Sequence, residues 1–499
     1  MTGELKKLVS KNVVVLSLTR VVTWSSTLVL MLFLPRYLGP VEYGRFYLAT
    51  SIVTMFSLLV DFGGSYSITK VISRHPDRVG QVIVDSAMIR IFLWGGSFAG
   101  ILLYAKWADY HPTVQIIMII CGVGMLWSGI RGVLWSCYRG FDLLKYPSYG
   151  AVAETVFIAA VGITAIVRGW GTIAFATITV IGTFINFLIC ARYATSMTKT
   201  LATVDWKGAI DSLKDGVPYF LNSVFGIIYY RIDTVMLSFM STESVVGWYG
   251  ASYKFFDTLM FIPSIFSIAV FPVMARLWGE GKTSFSRPLQ KSMDFILLVG
   301  IPISITTYMY ARQIISLIYG LDGFANSILL LKIFAIGMLL VYIDMILGTV
   351  LLASDRQKQL TRNSFIAIFV NVAMNLLLIP YSELHFRNGG VGSAIATLIT
   401  ELFIMFTMLA ALPRAILESS TVHVQLKIIA AGAVMLIVAV GGGRMGLSWI
   451  IVSLASLLAY GGTVLLMRTL EPSEVRMIQS VANPLEFWKE LQQQDIGSA

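Results

Sequence analysis

The sequence predicts an all-α polytopic membrane protein of about fourteen transmembrane helices, arranged as two six-helix bundles in a parallel pseudo-repeat plus two C-terminal helices. Three observations predict it. The composition is 57% hydrophobic and 13% charged, with a mean hydropathy of +0.78, which excludes a water-soluble globular domain. Fourteen apolar stretches of about 20 residues, the length that crosses a bilayer, follow one another along the chain. Short motifs recur in the same order in its two halves.

The first stretch, 12–34, follows Lys6, Lys7 and Lys11 and reaches Leu34 without a small-residue cleavage site, so it is expected to span rather than to act as a signal peptide. Stretches at 45–69, 84–105, 114–137, 149–167 and 170–193 complete a first bundle within 1–203. The segment 204–216 carries Trp206, Ile210 and Leu213 at helical spacing among Asp205, Lys207, Asp211, Lys214 and Asp215, the pattern of an amphipathic linker on the cytoplasmic surface. Stretches at 217–240, 249–275, 289–311, 326–353, 363–381 and 390–412 make a second bundle, 217–412. Two more, 425–443 and 446–467, fall within 424–468, and the polar remainder, 469–499, is expected to be a cytoplasmic tail.

An even number of spans puts both termini on one side, and the basic residues say which. With a cytoplasmic N-terminus, 24 of the 37 Lys and Arg lie in cytoplasmic segments and 7 in outer ones. The expected location is therefore a plasma or inner membrane, multi-pass, with both termini cytoplasmic. The net charge of +10 is explained by this topology and by anionic lipid headgroups, so no nucleic-acid partner is expected. Cys121, Cys137 and Cys190 are an odd number and sit in apolar segments, which gives no disulfide framework.

The halves echo each other at three places. Gly171-Thr-Ile-Ala-Phe-Ala-Thr177 matches Gly390-Val-Gly-Ser-Ala-Ile-Ala-Thr397, Ser136-Cys-Tyr-Arg139 with Lys145 matches Ala353-Ser-Asp-Arg356 with Arg362, and Gly44-Arg-Phe-Tyr47 matches Gly247-Trp-Tyr249. Six helices per half insert with the same orientation, so an axis along the membrane normal would relate the halves. Such pairs alternate access by rocking about a central cavity.

The segment Leu34-Pro-Arg-Tyr-Leu-Gly-Pro-Val-Glu-Tyr-Gly-Arg-Phe-Tyr-Leu-Ala49, followed by Asp61-Phe-Gly63, resembles the signature of the polysaccharide and O-antigen flippases of the MOP superfamily. The helix count and the six-plus-six-plus-two layout are similar too. The resemblance implies movement of a polyprenyl-linked oligosaccharide from the cytoplasmic to the outer leaflet, for cell-surface glycan synthesis. It also implies membrane lipids as surroundings and glycan polymerases or transferases as partners.

Six cations, Arg20, Arg90, Arg131, Arg231, Lys254 and Lys332, lie within the apolar stretches. Each costs roughly 2.5 to 3.5 kcal/mol at a bilayer centre, so they are expected to face protein or a wet cavity. At 1.5 Å per residue, Arg20, Arg90 and Arg131 fall in the cytoplasmic half together with Asp61 and Glu154. Guanidinium forks suit a pyrophosphate, while Arg20 with Asp61, or Arg131 with Glu154, would make structural ion pairs. In the second half, Lys254 and Asp257 share a helix face, whereas Arg231 and Asp233 diverge by about 200°. Tyr229 and Tyr230 are deep enough to stack on sugars, while Trp248 and Tyr249 are expected in an interfacial aromatic belt. Asp344 and Glu401, accompanied by Asn371 and Asn375 one helical turn apart, are candidates for proton or Na+ coupling or for polar packing. Two negative charges moving outward through 100 mV gain about 4.6 kcal/mol, so the membrane potential is an alternative drive. Pro263, Pro272 and Pro302 are expected to bend the second bundle.

Other functions fit less well. A MATE-like small-molecule exporter commonly takes organic cations, which six intramembrane cations repel. A polytopic glycan-modifying enzyme needs catalytic carboxylates or histidine and a loop domain to hold them. No catalytic residue, organic cofactor or metal site is expected, since His75, His111, His385 and His423 are scattered without metal spacing.

Overall fold

A chain this apolar has to satisfy its backbone internally, and helices do so segment by segment. The computed structural model describes residues 3–194, 197, 203–280, 282–412 and 419–469. Among them run seventeen α-helices: α1 (Gly3–Asp61), α2 (Gly64–Arg74), α3 (Val79–Trp107), α4 (Pro112–Gly140), α5 (Lys145–Val167), α6 (Thr172–Ala194), α7 (Trp206–Met240), α8 (Glu243–Leu259), α9 (Phe261–Glu280), α10 (Lys282–Met309), α11 (Ala311–Ile318), α12 (Leu321–Phe324), α13 (Ser327–Ala353), α14 (Gln357–Phe386), α15 (Gly389–Ala411), α16 (Ser419–Arg444) and α17 (Trp449–Leu466). Thirteen spans among the described residues are long and apolar enough to cross a membrane, and each falls on one of the fourteen stretches expected from sequence. The remaining stretch, 12–34, lies within α1.

Three local features depart from the sequence reading. The expected loop between the first two spans is no loop, because α1 continues through it with a single kink at Gly39, whose φ of 72° only glycine adopts easily. The expected second helix, 45–69, is broken instead at Phe62 and Gly63, both left-handed with φ of 43° and 69°, so that α1 stops at Asp61 and α2 starts at Gly64. Residues 206–216, expected as a linker lying on the surface, are the first turns of α7, which runs unbroken to Met240. Gly216 permits this: a Cβ there would come within 2.6 Å of the Phe62 carbonyl oxygen. The prolines stand closer to expectation. Pro272 and Pro302 are interior to α9 and α10, and the chain breaks at Met260, ahead of Pro263 in the first turn of α9, where a missing N–H costs little.

The described chain packs as two compact units. One draws on residues of Met1–Leu259, Arg312–Phe334 and Gln357–Thr407, the other on Met260–Ala311, Ala335–Arg356 and Met408–Ala499, divisions that do not follow the expected sequence boundaries. In the second unit, Leu297 and Ile301 of α10 pack with Ile428 and Met435 of α16 and Tyr460 of α17. Tyr460 donates to the Leu298 carbonyl at 2.9 Å, which satisfies its hydroxyl in an apolar setting.

In the first unit α1 and α8 touch at backbone distance. A Cβ on Gly44 would run into the Glu243 carbonyl and one on Gly247 into the Pro40 carbonyl. Gly250 makes room for the Tyr47 ring, which a Cβ would meet at 2.6 Å. The two segments that echo each other in sequence thus pack on one another, with small residues setting the separation. Arg45 clasps the crossing, donating to Glu243 at 2.8 Å and to Glu42 at 2.6 Å.

Candidate functional site

The break between α1 and α2 exposes one end of each helix inside an apolar protein, and ionic groups converge there. Asp61, the last residue of α1, accepts from Ser65 Oγ at 2.6 Å and from Arg90 Nη2 at 2.5 Å. Arg90 enters from α3 with only 3% of its surface exposed, and its Nη1 donates to the Gly129 carbonyl of α4 at 2.5 Å. Its Nη2 also reaches Ser65 Oγ at 3.2 Å. Its guanidinium ties α3 to α1, α2 and α4 by charge-assisted hydrogen bonds.

Arg131 is held in a similar way. Its Nη1 donates to Glu154 of α5 at 2.7 Å, and its Nη2 to Ser128 at 3.2 Å. Glu154 also accepts from Thr183 at 3.0 Å and from the buried Asn186 at 2.6 Å, both on α6. Arg90, Arg131, Asp61 and Glu154 all line a single cavity of about 470 Å3 inside the first unit. Of the two ion pairs weighed from sequence, Arg131 with Glu154 is present, whereas the partner seen on Asp61 is Arg90. The Arg20 side chain lies outside the described residues.

Arg139 lines the same cavity. Sequence reasoning placed it among the cytoplasmic loop cations and missed it. Its spacing held the signal, since Arg131, Trp135 and Arg139 recur at i, i+4 and i+8 on one face of α4.

A second polar group is built around α7. Asp233 is 3% exposed. Its Oδ2 accepts from Tyr249 at 2.9 Å and from Thr397 at 2.8 Å, and its Oδ1 from Asn375 at 2.8 Å. Asn375 donates in turn to Asn371 Oδ1 at 3.0 Å. The expectation that Tyr249 belongs to an interfacial belt is therefore wrong: it is 1% exposed and its hydroxyl serves a buried carboxylate. Asn371 and Asn375, grouped in sequence with Asp344 and Glu401, serve Asp233 instead. Asn375 Oδ1 is buried with no hydrogen-bond partner among the described residues.

The remaining candidates are dispersed. Arg231 turns away from Asp233, as the helix angle requires, and its Nη1 donates to Tyr47 at 3.3 Å. Lys254 and Asp257 meet at 4.0 Å, both more than a third exposed, the local pairing expected from their shared face. Tyr229 donates to Glu401 at 2.6 Å, and Tyr230 packs edge-on against Tyr229 with its ring 41% exposed. Asp344 is buried on α13, in the second unit. No group of three or more His, Cys, Asp or Glu able to hold a metal occurs among the described residues.

An ion-paired cavity and a buried polar cage stand inside a helical membrane protein, and comparison with known proteins shows its family. Residues 9–278 match the family described as polysaccharide biosynthesis proteins. The chain belongs to that family. Residues 218–377 also match the MatE family. The MOP-superfamily resemblance drawn from the Leu34–Ala49 segment thus holds.

Among relatives, the chain is 23% identical over 348 residues to the protein named "Probable flippase AglR" of Haloferax volcanii, covering 68% of this chain and 61% of that one. The chain therefore spans less than two thirds of that relative's length. It is 22% identical over 394 residues to "Probable low-salt glycan biosynthesis flippase Agl15" of the same organism, covering 74% of this chain and 76% of the relative. Among solved structures, it superimposes on the lipid II flippase MurJ in an inward closed conformation with a TM-score of 0.72. The identity there is 15%, over 92% of this chain and 98% of that one, which shows a shared fold.

Proposed function

We propose that this family member is a flippase that moves a polyprenyl-diphosphate-linked oligosaccharide from the cytoplasmic to the outer leaflet by alternating access. The single observation that carries this reading is the 470 Å3 cavity lined by three arginines within a lipid-embedded fold. Dianionic headgroups need such a polar, cationic path across hydrocarbon, and family membership and the flippases among its relatives support the same reading. The bias of Lys and Arg between loops supports a plasma or inner membrane with both termini cytoplasmic. Glycan polymerases or transferases are the partners such a substrate implies.

Asp233 is the proposed coupling site. Its carboxylate accepts from the hydroxyls of Tyr249 and Thr397 and from the amide nitrogen of Asn375, which also donates to Asn371 Oδ1. A buried carboxylate with two hydroxyl oxygens beside it and no cationic partner among the described residues suits uptake of a proton, or of a hard monovalent cation such as Na+. Binding there would reset the empty carrier, and the membrane potential would act on the loaded one.

The test is a leaflet-accessibility assay in proteoliposomes with a fluorescent polyprenyl-diphosphate oligosaccharide, run with and without a Na+ or pH gradient. Native protein should move the lipid faster than empty vesicles do, and Asp233→Asn should abolish the gradient dependence. Export of small organic cations without any lipid movement would transfer the assignment to a MATE-like exporter. Release of a modified glycan would transfer it to an enzyme.

A further inference from the structure

Five charged side chains line the cavity of the first unit, and their formal charges do not cancel. Arg90 faces Asp61 at 2.5 Å and Arg131 faces Glu154 at 2.7 Å, two neutral pairs. Arg139 is the fifth. It stands in the last turn of α4, exposed, with no carboxylate partner among the described residues. Its Cζ lies 5.7 Å from the ring centroid of Trp135, one turn earlier on the helix. A ring at that distance attracts the guanidinium and limits where it can swing, while leaving its N–H fork free.

Its counterpart in the sequence repeat behaves differently. Arg356 donates through Nη1 to the Ala411 carbonyl, within the second unit, so its fork is already engaged by backbone. Only the first member of the repeat pair presents unengaged donors to a cavity.

We propose that Arg139 is the anion-capture residue of this cavity, taking phosphate oxygens at its edge before they reach the ion-paired arginines deeper in. Arg131 and Arg139 are eight residues apart, about 12 Å along α4 at 1.5 Å per residue. That separation exceeds the span of one diphosphate, so the two cations are successive stations and not a single clamp. At Arg139 the anion meets a cation with no competing carboxylate; at Arg131 and Arg90 it has to compete with Glu154 and Asp61. Capture at the first and looser exchange at the second would let a headgroup enter without becoming trapped. The substrate named here rests on the flippase reading, but the anion site does not. The same phosphate chemistry could come from a polyprenyl diphosphate or from the headgroup of an anionic membrane lipid.

The experiment uses the full chain as native protein, Arg139→Gln, Arg139→Lys and, as a control for general surface charge, Arg78→Gln at an exposed basic position outside the cavity. Pyrophosphate binding is measured by calorimetry on solubilised protein. Lipid-linked oligosaccharide movement is measured in phosphatidylcholine vesicles with and without phosphatidylglycerol. Losing a charge-assisted bidentate contact should weaken pyrophosphate binding by about tenfold or more in Arg139→Gln. The lysine variant should recover part of it, and Arg78→Gln should bind as the native chain does. In phosphatidylcholine vesicles the half-saturating substrate concentration should rise by a similar factor with the maximal rate kept. Equal pyrophosphate binding by native and Arg139→Gln protein, or no binding by either, overturns the proposal. So does a transport defect that appears only with phosphatidylglycerol, which would assign Arg139 to the bulk lipid headgroups. If native protein moves no glycolipid while Arg139→Gln still loses pyrophosphate, the flippase reading falls and the anion site stands.

Discussion

Arg90→Met removes three hydrogen bonds from a side chain that is 4% exposed, those to Asp61, Gly129 and Ser65. Methionine fills similar volume, so the loss is electrostatic more than steric. The Gly129 carbonyl is left without the donor it had from Arg90, at about 1–3 kcal/mol. Breaking a buried ion pair costs about 3–5 kcal/mol when the survivor stays dry. Here the survivor is Asp61, whose side chain is 40% exposed to the cavity, so water recovers much of its solvation. The expected destabilisation is therefore about 3 kcal/mol, toward the lower end of these ranges. Denaturant unfolding in bicelles, followed by tryptophan fluorescence, measures it. Adding Asp61→Asn to Arg90→Met should cost little more, since the two residues act as one pair. If Arg90→Met unfolds at the native denaturant concentration and yet moves no substrate, the pair is not structural and Arg90 acts on substrate directly.

Three further outcomes follow from the same structure. Gly247→Ala drives a methyl group into the Pro40 backbone, where no side chain can yield, and should lower stability by about 1–3 kcal/mol in the same unfolding assay. Gly63→Ala places a Cβ at a φ of 69°, and a loss of about 1–2 kcal/mol is expected in the same assay; an unchanged midpoint would show that α1 and α2 are not held in the broken form. Tyr249→Phe takes one of three donors from the buried Asp233 and should cost about 1.5–3 kcal/mol, while Tyr253→Phe, a neighbour with no bond to Asp233, should cost less.

The spans were legible because the signal is local: twenty apolar residues announce themselves without reference to any other part of the chain. The repeat between Gly44–Tyr47 and Gly247–Tyr249 was legible too, and its reason emerged in the crossing of α1 and α8, where glycine lets two backbones touch. Helical spacing correctly separated Lys254 with Asp257 from Arg231 and Asp233, because both relations are settled within one helix.

What the sequence could not settle was partnership across the chain. Asp61 finds Arg90 29 positions away, Asp233 finds Asn375 142 positions away and Thr397 164 away. Hydropathy places such residues at a depth but says nothing of which helix faces which, so Tyr249 read as an interfacial ring and proved to be a buried donor. The break at Phe62 and Gly63 escaped for a related reason: the surrounding residues are apolar enough to continue a helix, and the turn is fixed by Asp61 meeting Ser65 and Arg90. Sequence alone determined that this is a helical membrane protein with cations inside the bilayer, since lipid imposes that from composition and length. Only the tertiary structure decided how cations among the described residues are neutralised, Arg90 by Asp61 and Arg131 by Glu154, because charge pairing depends on distances that packing sets.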